Sequence, residues 1–166
     1  MVRRHQLDSI FSPSSVAVIG ASTRKGTIGR ETLHNILTAE FNGKVFPVNP
    51  KAPVIHSIKS YSTVLDVPDA VDLAIIIVPK TEVIEVVRQC GQKGVKGLVI
   101  ISAGFSEVGP EGKAREAAVM AVVREYGMRM IGPNCFGVVN TDPAVSLNAT
   151  FGKTFPKEGK VGFITQ

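Results

Sequence analysis

Short, nearly continuous apolar runs recur along this chain, and helical patterns separate most of them. Ser15–Gly20 (SVAVIG), Lys44–Asn49 (KVFPVN), Val71–Val78 (VDLAIIIV), Gly97–Ser102 (GLVIIS) and Met128–Ile131 read as strands. Runs rich in β-branched residues, without polar alternation, suit parallel strands covered on both faces. Between them, apolar residues at Leu33, Ile36, Leu37 and Phe41 mark one face of a helix over 28–41. Val83, Ile84, Val87 and Cys90 mark a second helix over 81–93. A third is expected from Pro110 to Tyr126, with Ala114, Ala117, Ala118, Ala121 and Val122 inward. Pro110 suits a first helical turn, and Gly43, Gly94 and Gly127 stand where such helices stop.

Alternation of this kind predicts an α/β fold: a Rossmann-like, doubly wound parallel sheet with helices on both faces. The expected strand order is 3-2-1-4-5, which puts a ligand at the crevice between the first and fourth strands. The loops there are 20–29 and 103–109. Pro47 removes a ladder donor and favours an edge or a strand end. The stretch 52–70 is less regular, with room for a short edge strand near Val54–Tyr61 and one helical turn near Ser62–Val67. Beyond Ile131 the pattern is lost, and Gly132–Lys160 reads as loop. GKVGFITQ then opens a new apolar run, the expected first strand of a following domain. Such a strand over Val161–Thr165 would fray or pair with a neighbouring chain. The expected division is one domain over 8–145, then a linker and truncated strand over 146–166.

Composition narrows the class. The 166 residues are 44% hydrophobic and 20% charged, which suits one globular domain with its own core. No apolar run approaches the ~18 residues of a membrane span. The basic start, MVRRHQLDSIF, has no signal-peptide stretch behind it. A cytoplasmic, non-membrane protein is expected. Cys90 and Cys135 are too few and too far apart for a disulfide framework, and no metal spacing is present. The net charge of +5 fits a polyanionic partner. The basic residues are scattered and do not alternate with aromatics, which argues against nucleic acid.

The first strand–helix loop, GASTRKGTIGRET (Gly20–Thr32), has the make-up of a phosphate cradle. Glycines let backbone approach a phosphate, and the helix start offers free N–H groups. Gly20, Gly26 and Gly29 supply the first; Ser22, Thr23, Thr27, Arg24 and Lys25 add hydroxyls and charge. The spacing matches neither G-x-G-x-x-G nor G-x-x-x-x-G-K-[ST]. The second strand ends in Asn49-Pro50-Lys51, where NAD sites carry an acid. Lys51 admits a phosphorylated ribose, as in NADP or coenzyme A, or is a solvated loop lysine.

Four further segments carry a resemblance: IIVPK (Ile76–Lys80), ISAGFSE (Ile101–Glu107), RMIGPNCFGVVN (Arg129–Asn140) and GKVGF near the end. With VAVIGAS and VNPK, they resemble the CoA-binding domain of the NDP-forming acyl-CoA synthetases, a family similar to the α subunit of succinyl-CoA ligase. The resemblance runs from Ile10 to Gln166. It implies a Rossmann-like domain that binds CoA or acyl-CoA and works with downstream domains or a partner subunit. It implies that Gly20, Ala21, Ser22, Arg24, Lys25, Gly26, Thr27, Ile28 and Gly29 cradle phosphates. Asn49 and Lys51 would lie near the ribose phosphate or adenine, and Val78 and Pro79 along the adenine–pantetheine path. Ser102, Ala103, Gly104 and Phe105 would form the opposite wall. Asn134 and Cys135 would stand near the thiol.

The family's reaction passes through an acyl phosphate and a phosphorylated histidine of another domain. His5, His34 and His56 match no such motif, so no catalytic residue is expected here and the isolated chain should not turn over. Cys135 reads as packing, with no histidine beside it in sequence. Glu107 is either a loop charge near a helix start or an acid facing the reacting group. Three other readings share parts of this pattern. They are a regulatory module of a protein acetyltransferase, a CoA- or nucleotide-sensing switch, and an NADP-dependent reductase. Met1–Ser14 is too short for the DNA-binding part such a switch needs, and the reductase lacks its glycine fingerprint.

Overall fold

A computed structural model describes residues 6–164. After a short helix α1 (Asp8–Phe11), the chain alternates β1 (Ser15–Ile19), α2 (Ile28–Thr38) and β2 (Lys44–Val48). A small hairpin follows, β3 (Val54–Ile55) with β4 (Ile58–Lys59), and then one 3-10 turn at Val64–Asp66. The pattern resumes with β5 (Leu73–Ile76), α3 (Val83–Lys93), β6 (Gly97–Ile100), α4 (Pro110–Glu125) and β7 (Arg129–Ile131). A second hairpin, β8 (Gly137–Asn140) with β9 (Leu147–Thr150), closes the regular structure. His5, Thr165 and Gln166 lie outside the described residues. The expected strand near the end is not formed over 161–164.

Five parallel strands form the sheet in the order β2-β1-β5-β6-β7. Every residue of β1, β5 and β6 is buried, as their apolar runs require. Successive side chains point to opposite faces. Ala17, Ile19, Ala74, Ile76, Leu98 and Ile100 therefore meet α3 and α4 through Val83, Val87, Cys90, Val119, Val122 and Val123. Val16, Val18, Leu73, Ile75, Val99 and Ile101 meet α2 on the other face, through Leu33 and Ile36. The fold class is the expected one.

The strand order is not. In chain order the sheet reads 2-1-3-4-5, so the switch point lies between β1 and β5, not between the first and fourth strands. The cause is the β2–β5 connection. Tyr61 within it takes the outer edge of β2, its amide on Pro47 O at 3.0 Å and its carbonyl accepting Asn49 N at 2.8 Å. That contact is one bridge, and β5 pairs instead on the free side of β1. Pro47, which favours an edge strand, agrees with this order.

Two further expectations are corrected. Ala114, Ala117, Ala118 and Ala121 of α4 are exposed; the inward face is Gly112, Val119, Val122 and Val123. Valine gains more by burial than alanine, and Gly112 lets the helix approach the Phe105 carbonyl, where a Cβ would stand 1.6 Å away. The stretch after Ile131 is not simply loop. Val138, Leu147 and Ala149 of the second hairpin enter the core beside α2. Asn35 of α2 donates to the carbonyls of Thr150 at 2.9 Å and Gly152 at 2.7 Å. Packing thus continues past residue 145 to Thr150.

Candidate functional site

The segments that follow β5, β6 and β7 converge on one cleft with the start of α2. Ile28, Ile77, Val78, Ile101, Ser102, Ala103, Asn134, Cys135 and Phe151 line it, around a volume of about 290 Å³. Its walls are mainly apolar with a few polar groups, the usual make-up of a ligand cleft. The loop 20–29 leaves β1 and enters α2 at its rim, through Ile28.

Tight backbone approaches build that loop. A Cβ on Gly20 would stand 2.0 Å from Ile77 O, and one on Gly29 would stand 1.9 Å from Gly20 O. Gly20 thus lets β1 turn against β5, and Gly29 lets α2 start against that turn. Gly26 differs: its φ is +76° and nothing lies within 4 Å of its Cβ position. Its amide donates to Glu31 Oε1 at 3.0 Å. Ser22 Oγ accepts Arg24 N at 3.1 Å, and Thr27 Oγ1 donates to Arg24 O at 2.7 Å. The first helical donors on α2, Arg30 and Glu31, bond Thr27 O. The Ile28 and Gly29 amides precede them, at the positive end of the helix dipole. Arg24 and Lys25 are exposed at the tip, and Thr23 O takes the Arg30 guanidinium at 3.4 Å. Ala21 is buried, so only its backbone faces the loop's interior bonds.

Asn49 links β2 to this loop. Its Nδ2 donates to Ala21 O at 2.7 Å, and its Oδ1 accepts Lys51 N at 2.7 Å. The side chain braces the loop, while Lys51 is exposed beside it. On the opposite wall, Ser102 Oγ accepts Val78 N at 3.1 Å and donates to Val78 O at 2.6 Å, fixing the β6 end to the β5 end. Asn134 N donates to Ser102 O at 3.0 Å and brings Cys135 into the cleft. The Cys135 Sγ lies 3.4 Å from Ile100 O, and burial raises its thiol above the usual range. Such a thiol is a poor nucleophile at neutral pH. Cys90 is core, with its thiol pushed up to about 12 by burial.

Two expected contacts are displaced. The Phe105 side chain is fully buried against α4 rather than lining the cleft. Gly104 is also buried; its amide and that of Phe105 donate to the Glu107 carboxylate at 2.5 and 3.0 Å. The Gly104 amide, above all, holds that carboxyl below its ordinary range. Glu107 therefore caps its own loop. Pro79 is exposed just outside the cleft lining.

His34 and His56 stack on each other, with ring centroids 5.5 Å apart. Among the described residues no cluster of metal-ligating groups is present, and no helix is long and apolar enough to cross a membrane.

Sequence reasoning missed Ile77, Ile101 and Phe151 in the cleft lining. The first two adjoin strand ends and were legible from the fold rule. Phe151 lies beyond the second hairpin, where the sequence has no apolar periodicity, and its ring packs 4.6 Å from that of Phe136.

The family model described as a CoA binding domain matches residues 14–141. The ADP-forming acetate–CoA ligase of Methanocaldococcus jannaschii is 48% identical over 99% of this chain and 22% of its own length. The α subunit of ADP-forming acetate–CoA ligase II of Pyrococcus furiosus is 48% identical over 96% of this chain and 34% of its own. Among solved structures, a dinucleotide-forming acetyl-coenzyme A synthetase 1 of Ca. Korarchaeum cryptofilum superimposes with a TM-score of 0.83 at 44% identity. That match covers 94% of this chain and 32% of the synthetase. The chain thus spans about a fifth to a third of these relatives. The acetyltransferase, sensor and NADP readings gain no support from them.

Proposed function

The chain belongs to the CoA-binding domain family, and from that premise we propose that it holds coenzyme A across the β1–β5 switch point as part of an ADP-forming acid–CoA ligase. CoA is then a substrate of the parent reaction. The pyrophosphate lies on the loop 20–29, where the Ile28 and Gly29 amides, Arg24 and Lys25 are available to an anion and the Gly26 amide is held by Glu31. Lys51 serves the ribose phosphate. The pantetheine arm follows Val78, Ser102 and Ala103 towards Asn134 and Cys135. The observation that carries this reading is the cleft itself, which joins three strand ends to the helix start behind the glycine loop in a matching chain.

Activation of the acid, with its phosphorylated histidine, belongs to other domains or subunits of the parent ligase. This chain supplies binding and orientation, and alone forms no thioester. A cytoplasmic location is part of the same proposal and fits the free thiols of Cys90 and Cys135.

Parallel calorimetric titrations with CoA, dephospho-CoA, NADP⁺ and NAD⁺ test the reading. CoA is expected to bind, and more tightly than its dephospho form. Lys51→Ala should abolish that preference, a loss of about tenfold for a charge-assisted phosphate contact. NADP⁺ binding with CoA silent would overturn it.

A further inference from the structure

The stretch Gly20–Thr32 carries three bases, Arg24, Lys25 and Arg30, and a single acid, Glu31. An acid inside a polyanion-binding loop repels its ligand, so its position matters. Glu31 Oε1 accepts the Gly26 amide at 3.0 Å. Gly26 is exposed, and nothing lies within 4 Å of its Cβ position. A carboxylate on a backbone amide at a helix start makes the bond a phosphate oxygen would make. The rest of the loop does not depend on it. Ser22, Thr27, Arg30 and Asn49 each fix the backbone through separate bonds. Glu31 sits in the first turn of α2, where the dipole favours a negative charge whether or not a ligand is present.

We propose that Glu31 is a resident anion of the phosphate loop, occupying the Gly26 amide until a ligand's pyrophosphate displaces it. It lowers affinity for every pyrophosphate-bearing ligand by a common factor. A site that takes up CoA and must release its thioester gains faster release from such a competitor. This inference rests on the loop's role as phosphate cradle.

Glu31→Gln removes the charge and keeps an acceptor of the same length. Wild type and E31Q are titrated with CoA, dephospho-CoA, inorganic pyrophosphate and pantetheine. The variant is expected to bind the first three about three- to fivefold more tightly, by the same factor, with pantetheine unchanged. The gain should shrink at about 0.5 M salt, where exposed charges are screened. Equal or weaker CoA binding by E31Q, in a chain whose wild type binds CoA, would overturn the role of Glu31 alone. A gain for pantetheine would also overturn it. A gain for pyrophosphate with CoA silent in both proteins would support Glu31 and reject the CoA reading. Silence from every ligand in both proteins would reject both.

Discussion

His56 illustrates how neighbours set the behaviour of one residue. It sits at a hairpin turn with φ +51°, against the ring of His34. Its pKa is lowered, first by burial and then by the positive charges of Arg30 and His34, while Glu31 opposes the shift. A histidine with a depressed folded pKa binds its proton more readily in the unfolded chain. Its contribution to stability is therefore whole above the unfolded value near 6.5 and is lost as pH falls through the lower folded value. His56→Asn keeps a residue type that tolerates positive φ and removes the proton site. Urea midpoints followed from pH 7 to pH 5 should fall less steeply in H56N than in wild type. Parallel slopes would remove His56 from the acid response. Asn49 teaches a related lesson. Its place at a strand end points to ligand contact, and in the structure one N–H and one lone pair of its amide also brace the loop, on the Ala21 carbonyl and the Lys51 amide.

The first strand–turn–helix element depends on glycines that do different work. Gly29 is buried in the first turn of α2, with the Gly20 carbonyl 1.9 Å from where its Cβ would stand. The clash is with backbone, so it is relieved only by moving α2 off β1. Gly29→Ala should cost about 1–3 kcal/mol by denaturant unfolding, as overpacking does. It should also weaken CoA, because the loop moves with the helix. Gly26→Ala meets no atom but holds a positive φ, so only about 1 kcal/mol of backbone strain is expected. Comparing the two variants separates packing from conformation, and equal costs would refute that division. The second hairpin is an element with a similar positioning role. Asn35 clamps its end to α2, and the chain on either side carries Cys135 and Phe151 to the cleft.

At the scale of the whole molecule, the sheet's centre is sealed on both faces, and β5 lies in the middle of the five strands. Ile75 there is fully buried. Ile75→Ala should cost about 2–5 kcal/mol, the range for deleting a buried aliphatic side chain. A loss below about 1 kcal/mol would mean that the core relaxes around the gap. The runs SVAVI, LAII and GLVI, alternating with helical patterns, determined that there would be a buried parallel sheet, because strands covered on both faces by crossover helices are apolar throughout. Gly20 and Gly29 likewise marked the tight strand–helix turn beside the cleft. What the tertiary structure alone decided was which strands are neighbours and which face of a helix turns inward. Strand order depended on Tyr61 covering the edge of β2, a pairing between residues from different stretches of chain. Pro47 hinted at that edge but could not say what lay on the other side of β1. The alanine stripe of α4 had the right period and the wrong side, because a small apolar residue constrains burial weakly. The second hairpin escaped notice because Asn148 and Thr150 are buried there as a pair, Thr150 Oγ1 donating to Asn148 Oδ1 at 2.7 Å. A polar residue whose partner is supplied only by folding reads in sequence as a loop.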